Sequence, residues 1–391
     1  MKIKARAEDF VVEEAADLPL SKRGEYAVYV LTKRGWNTSD ALHALSKRLG
    51  VPFKDASYGG RKDRYGLTTQ FITIKDQGRK TVGVQEKLNE NVTFTLAGCM
   101  DRPMGPDLIK GNRFEIVVRD LTDAELEPAM KETDCVKESG YPNYFDDQRF
   151  GSYDSKQGFI AEKVVKGHYN GALKIYLTHI RPEDKGEEKE RKRFLFDNWG
   201  KWTLCLEKSK CPFEDLAFNY LVLDPKGFVP ILQKIEREEM SLFFSAYQSY
   251  LWNEVLRRLV KRVSGENIKS YKGVAGDYLF YTAPGENDGQ YLKGLNIPMP
   301  ASNVRMPDRL AEETYSEVLG SNGVKPPMFN NRKIRQAFFK GVERPAIVIP
   351  EGLSVGTGED EIYKDRKKLV LKFFLPRGSY ATMLVKRLFA K

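Results

Sequence analysis

Asp63 stands between Lys62 and Arg64, two residues after Arg61, in the stretch YGGRKDRYGLTTQFITI (58–74). No second carboxylate lies close to it in sequence. A charged surface turn is one way to use such a loop. The other is chemistry: a single carboxylate acting on an anionic substrate as nucleophile, base or electrostatic partner. The neighbouring cations would hold phosphates and keep the aspartate ionised. Competing chemistries find little material elsewhere. The three histidines, His43, His168 and His179, show neither HxxxH nor HExxH spacing, and no Ser-His pairing suggests a triad. GGRKD lacks the GxxxxGK[ST] spacing of a P-loop, and no compact cluster of acids suits a two-metal site. Cys99, Cys135, Cys205 and Cys211 form no CxxC pair, which argues against a zinc ribbon and fits a reduced compartment. A paired-carboxylate glycosidase stays open, because its second acid can come from far along the chain.

Elements must carry this loop. EYAVYVLTK (25–33) is apolar on both alternating faces and reads as a buried central strand. TSDALHALSKRLG (38–50) reads as a helix capped by Thr38 or Ser39, striped by Leu42, Leu45 and Leu49 and stopped at Gly50. His43 on that helix reads as a packing or surface residue. A loop over 56–66 and a strand over 67–75 then place Asp63 between helix and strand, where functional residues concentrate. Further strands are expected at 92–98 and 112–120, and a short helix at 123–132 despite Pro128.

From 154 to 331 the pattern becomes more helical. A mixed-charge run covers 181–194. A long helix is expected over 242–263, with Phe244, Tyr247, Leu251, Val255 and Leu259 on its packing face. The Gly- and Pro-rich segment 283–300 reads as loops and turns. The tail returns to strands, at 346–350 and 368–376, and ends in a helix over 378–390 capped by Ser379. The fold class is α+β: a strand-rich domain in two parts, 1–153 and 332–391, split by an inserted domain at 154–331.

Composition sets the setting. Among 391 residues, 64 Lys and Arg oppose 54 Asp and Glu, for a net charge of +10, and aromatics make up 12%. The excess favours a polyanionic partner, and aromatics offer bases a stacking surface, but charge alone does not decide for nucleic acid. No apolar run approaches the ~20 residues needed to span a bilayer, and the N-terminal stretch reads as neither signal nor transit peptide. A cytoplasmic protein without a membrane partner is expected.

The motifs together are more specific. GGRKDRYGLTTQF (59–71), KGNRFEI (110–116), YPNYFDDQRFG (141–151) and LPRGSYAT (375–382) occur in the order found in TruD-type tRNA pseudouridine synthases. KARAEDFVVEE (4–14) and KRGWNT (33–38) fit as well. The chain thus resembles that family from end to end. It departs from the family pattern at Asp146, within the usual Asn-Tyr-Phe-Gly form, and at Tyr380, where phenylalanine is expected.

The resemblance implies a pseudouridine synthase core with a mixed, mainly antiparallel sheet, interrupted by a family-specific insertion domain whose cations form a second wall of an RNA cleft. It also implies the reaction, conversion of uridine to pseudouridine in tRNA at position 13, with neither cofactor nor metal. Asp63 matches the catalytic aspartate, which would attack C1′ or C6, or assist a glycal route. Lys4 matches its basic partner, and Asn112 an asparagine that orients the carboxylate or binds substrate. Phe10, Phe114 and Tyr380 match the aromatic pocket, although on their own such residues are as readily core. Arg61, Lys62 and Arg64 would meet phosphates or shape the loop, and Gln148 and Arg149 would brace the site or bind the backbone. The partner implied is tRNA, with other structured RNA as further targets, and a monomer is expected. The alternative is a noncatalytic RNA-binding or RNA-chaperone protein using the same basic, aromatic surface.

Overall fold

The computed structural model describes residues 1–75, 85–282, 286–334 and 339–391. They divide into two compact units, Met1–Tyr141 with Val348–Phe389, and Pro142–Ile347 with Ala390–Lys391. The divisions expected at 153/154 and 331/332 therefore differ from these. Segments 142–153 and 332–347 lie in the second unit because they bind each other. Asn143 N donates to Ala346 O at 2.8 Å, and the Arg344 guanidinium donates to Asn143 O at 2.6 and 3.0 Å.

The first unit is built on a ten-stranded sheet. Its strands in the first part of the chain are β1 (Lys2–Ile3), β2 (Phe10–Ala16), β3 (Tyr26–Arg34), β4 (Ala56–Tyr58), β5 (Leu67–Lys75), β6 (Gln85–Asn89), β7 (Val92–Met100) and β8 (Ile109–Leu121). The strands Glu351–Glu359 and Lys367–Pro376 complete it. Across the sheet the order is Glu351–Glu359, Lys367–Pro376, β8, β2, β5, β3, β7, β6, with β1 on β8 and β4 on β5. Only β2–β5 is parallel among the pairs described, so the sheet is mixed and mainly antiparallel.

β3 lies between β5 and β7; the face of Ala27, Tyr29, Leu31 and Lys33 is buried, and on the other face Val28 is buried while Tyr26 and Val30 are half-buried. Ala27, Tyr29 and Leu31 pack with Ala41, Leu42 and Leu45 of helix α1 (Thr38–Leu49), while Val28 meets Met100 and Met104 on the other side. Gly50 ends α1 in the left-handed region (φ 65°), as expected. The cap at its start differs from expectation: Asn37 occupies it, and the Thr38 hydroxyl is instead drawn to Gln70 on the sheet. Helix α2 (Asp123–Ser139) also runs past the expected 132. Leu126, Ala129, Thr133 and Val136 are buried at helical spacing and carry it on to Gly140, so packing outweighs the single amide lost at Pro128. At the other end of the chain, helix Ala381–Leu388 starts after Tyr380. Ser379 does not cap it, since its backbone is turned back onto Pro376 O.

The second unit is mainly helical around Arg237–Ser264, whose stripe Phe244, Tyr247, Leu251, Val255 and Leu259 is buried as its periodicity requires. The mixed-charge run forms helix Gly186–Asp197, with Leu195 buried. Within the stretch read as loops, Glu286–Gly294 is a helix. Leu292 is buried, and the Tyr291 hydroxyl donates to Asp308 at 3.0 Å, so tertiary contacts override the weak local propensity. Residues 283–285 of that stretch lie outside the described residues. No helix among the described residues is long and apolar enough to cross a membrane.

Candidate active site

Register brings four elements under one loop. Side chains directly opposite across a ladder share a face. Glu14 on β2 faces Asn112 on β8, Val12 faces Phe114 and also Thr68 on β5, and Lys33 on β3 faces Thr68. One face of the sheet therefore gathers Phe10, Val12, Glu14, Lys33, Thr68, Gln70, Asn112 and Phe114. The loop 59–66, between β4 and β5, lies against these groups. Gly66 is needed for its close approach, because a Cβ there would sit 2.4 Å from Phe10 O.

Polar groups fasten the loop. Gln70 Nε2 donates to Gly60 O at 3.0 Å, and Lys62 N donates to Thr38 Oγ1 at 3.3 Å. Lys62 Nζ pairs with the buried Glu14 Oε1 at 2.5 Å, while Glu14 Oε2 accepts from Phe71 N at 3.0 Å. The Lys62 ammonium is thus committed inward and shapes the loop. Lys33, fully buried, donates to Asp63 O at 2.7 Å and Lys62 O at 3.4 Å.

Asp63 emerges from this support. Its Oδ1 accepts from Tyr65 N at 2.8 Å, and its Oδ2 pairs with Lys4 Nζ. The Lys4 ammonium also lies 4.2 Å from the centre of the Phe10 ring. Lys4 itself has φ 61°, a conformation that costs a non-glycine residue energy unless its surroundings fix it. They do so on both sides. Lys2 and Ile3 pair with Arg119 and Val118 of β8, and the following turn is closed by Arg6 N donating to Asp9 Oδ2 at 2.9 Å. Asp9 in turn binds buried Arg119, which also reaches Asp360 and Glu361. Hydrogen bonds that it donates to Glu361 and Asp9 push the guanidinium pKa still higher, so this anchor stays charged.

The aromatic residues form one packed series. Phe10 meets Phe114 edge-on at 6.2 Å, and Phe114 stacks on Phe373 at 5.4 Å. Phe10 and Phe114 are both buried. Asn112 Oδ1 is buried with no hydrogen-bond partner among the described residues, leaving a free acceptor on this face. Gly111 beside it allows the Lys367–Pro376 strand to approach, since a Cβ would fall 2.2 Å from Leu375 O. Tyr380 is half-buried, and its carbonyl accepts from the Tyr141 hydroxyl at 3.4 Å.

Arg61 and Arg64 are exposed and make no ion pair among the described residues; Arg64 lies over the exposed Tyr65 ring at 5.7 Å. Gln148 and Arg149 belong to the second unit. There Gln148 is exposed, and Arg149 Nε donates to Ser249 Oγ at 3.3 Å. Asp146 has φ −81°, so an aspartate stands there without backbone strain. Lys33, Glu14, Thr38 and Gln70, which hold the loop, were not among the sequence-expected site residues. For Lys33 and Glu14 the signal is a charge continuing an apolar alternation: Tyr29, Leu31, Lys33 on one strand and Phe10, Val12, Glu14 on the other.

A carboxylate beside one ammonium, on a fastened loop with exposed arginines, can serve one-carboxylate chemistry on an anionic substrate. The same fold occurs in a crystal structure from Methanosarcina mazei described as "Putative tRNA pseudouridine synthase D (TruD)", with a TM-score of 0.73, 25% identity, and coverage of 99% of this chain and 93% of that one. Residues 1–388 match the family model described as tRNA pseudouridine synthase D (TruD), and the chain belongs to that family. A Methanococcus maripaludis protein named "Probable tRNA pseudouridine synthase D 1" is 34% identical over 398 residues, covering 100% of this chain and 99% of its own length. The "tRNA pseudouridine synthase D" of Leptospira interrogans is 30% identical over 399 residues, covering 99% and 95%.

Proposed function

We propose that this protein isomerises uridine to pseudouridine in tRNA, at position 13, with Asp63 as the reacting carboxylate. The observation that carries this reading is the Asp63–Lys4 ion pair on a loop fastened from three strands and a helix, in a chain matched by the family model along nearly its whole length.

The reaction breaks N1–C1′ of uridine, turns the uracil and forms C5–C1′. The C5 proton is released and N1 gains one, so neither redox equivalents nor water is consumed. Asp63 supplies the anionic oxygen, attacking C1′ or C6 or taking the C2′ proton on a glycal route. Lys4 pairs with that carboxylate and fixes its direction. Asn112 orients the carboxylate or takes a hydrogen bond from the uracil, for which its unpaired acceptor is suited. Phe10, Phe114 and Tyr380 form the aromatic wall. A uridine in folded RNA must leave its stack, at a cost of a few kcal/mol; stacking on aromatic side chains returns roughly 1–3 kcal/mol per base. Exposed Arg61 and Arg64 grip phosphates, with Gln148 and Arg149 as further backbone contacts. The family's insertion domain corresponds to 154–331, the protein works as a monomer, and other structured RNAs serve as additional substrates.

The test is release of tritium from tRNA carrying C5-tritiated uridine, run in excess EDTA after the RNA has been folded. Release with pseudouridine appearing at position 13 is the expected result. RNA binding with the label fully retained would refute the catalytic reading. Release with position 13 unmodified would refute the narrow substrate alone.

A further inference from the structure

Lys33 is a charge the reaction scheme above does not use. It ends the apolar alternation Tyr29, Leu31, Lys33 on β3 and is fully buried. Burying an ammonium is costly unless a carboxylate or several acceptors compensate. Lys33 has no carboxylate of its own among the described residues. Its acceptors are two consecutive main-chain carbonyls, Asp63 O at 2.7 Å and Lys62 O at 3.4 Å. The nearby charges are already taken: Lys62 by Glu14, Asp63 by Lys4, and the adjacent Arg34 by Glu8. A group that serves only packing would be cheaper as methionine. This ammonium is instead spent on the backbone of the residue that reacts.

We propose that Lys33 is a positioning residue for the reaction: its buried ammonium fixes the Lys62–Asp63 backbone, and so sets the height and direction of the Asp63 carboxylate above the sheet. The proposal rests on Asp63 being the reacting group. Hydrogen bonds donated by a charged group are about twice as strong as neutral ones, so the hold depends on protonation. Burial, together with the Lys62 charge, pushes the Lys33 pKa down to about 8 against the opposing pull of Asp63. The loop is therefore held firmly below that pH and less firmly above it. Folding stability moves the other way, because a neutral amine is easier to bury. Rate and stability should diverge in the alkaline range, which a purely structural lysine does not produce.

The experiment measures single-turnover tritium release at saturating tRNA from pH 6.5 to 9.5, with RNA affinity and thermal melting, for wild type, Lys33→Met and Asp63→Asn. Wild type should lose rate above about pH 8 while its melting temperature holds or rises. Lys33→Met should fold, bind tRNA within about threefold of wild type, react roughly 10²-fold more slowly at pH 7.5 as expected for a misplaced reactive group, and lack the alkaline decline. A Lys33→Met rate within threefold of wild type, or an unchanged alkaline decline in that variant, overturns the proposal. A wild-type rate that stays flat through pH 9.5 overturns it even if Lys33→Met fails to fold. Asp63→Asn separates the two levels. Background rate there with a normal Lys33→Met refutes Lys33 alone, whereas an active Asp63→Asn refutes the role of Asp63 and the Lys33 proposal with it.

Discussion

Two carboxylates of the same unit, Asp63 and Asp360, both lie beside a cation and are treated very differently. Asp360 has a fully buried side chain. One oxygen accepts from Arg119, Ile362 N and Tyr363 N, and the other from Asp120 N. Its lone pairs are saturated, and breaking any of these bonds would strand a buried charge. Asp63 has a side chain 17% exposed and two donors, Lys4 and Tyr65 N. Its main-chain carbonyl, by contrast, accepts from the buried Lys33 ammonium at 2.7 Å. A structural carboxylate is satisfied through its oxygens. Asp63, the proposed reacting group, is tied through its main-chain carbonyl and has only two donors on its oxygens. Proximity to a cation does not separate the two, but the count of donors does.

Breaking the saturated cluster should have the largest effect. Arg119→Met leaves Asp9 and Asp360 buried without their cation, and should cost about 3–5 kcal/mol of stability in denaturant unfolding. It should also lower turnover in the protein that remains folded, because the Arg6–Asp9 turn behind Lys4 loses its anchor. Loss below 1 kcal/mol would show that the cluster is not what fixes the N-terminal turn.

On the reactive side, Lys4→Met removes one of the two donors to Asp63. Single-turnover rates should fall roughly 10²-fold, with stability changed by less than about 1 kcal/mol, as for a partly exposed pair. An unchanged rate would leave Lys4 as an ordinary surface cation.

A third effect has a definite sign with pH. The folded Lys33 value of about 8 lies below its ordinary 10.5, so between these pH values the unfolded chain binds more protons than the folded one. Wild type should therefore gain stability relative to Lys33→Met as pH rises through that window, by roughly 1–3 kcal/mol. The advantage is lost again as pH falls through about 8. Urea melts of both proteins at pH 7, 9 and 10.5 read this directly; a constant difference would mean that Lys33 is not desolvated.

The smallest effect belongs to Arg64, which is exposed and ion-paired with nothing among the described residues. Arg64→Ala should weaken tRNA binding and reduce the slope of log affinity against log salt by about one phosphate contact, with turnover at saturating RNA nearly unchanged. An unaltered slope would remove Arg64 from the RNA surface.

Much of this site was legible in sequence because it is local. The loop around Asp63, the glycine at 66 that lets it approach β2, and the strands on either side all leave short-range patterns. What holds the loop was not legible in the same way. Glu14, Lys33 and Gln70 reach it only through sheet register, and register depends on pairings between distant segments. Lysine at the end of an apolar alternation was visible in KRGWNT, but nothing local distinguishes a buried end from an exposed one. The caps at Asn37 and Tyr380 differ from those expected, and at the first the Thr38 hydroxyl has a better partner in Gln70 than its own helix offers. Helix Glu286–Gly294 was hidden by glycines that tertiary packing tolerates.

If Asp63 reacts and Asp360 only supports the fold, one paired measurement separates them. Asp63→Asn and Asp360→Asn are compared in single-turnover tritium release at saturating tRNA, well below both melting temperatures, with affinity and unfolding free energy measured in parallel. Asp63→Asn should be roughly 10⁴-fold slower or at background, since an amide is a poor nucleophile and base, while affinity and stability stay near wild type. Asp360→Asn should lose about 2–4 kcal/mol of stability yet react within a few-fold of wild type. An Asp63→Asn protein that isomerises uridine within tenfold of the wild-type rate would contradict the account.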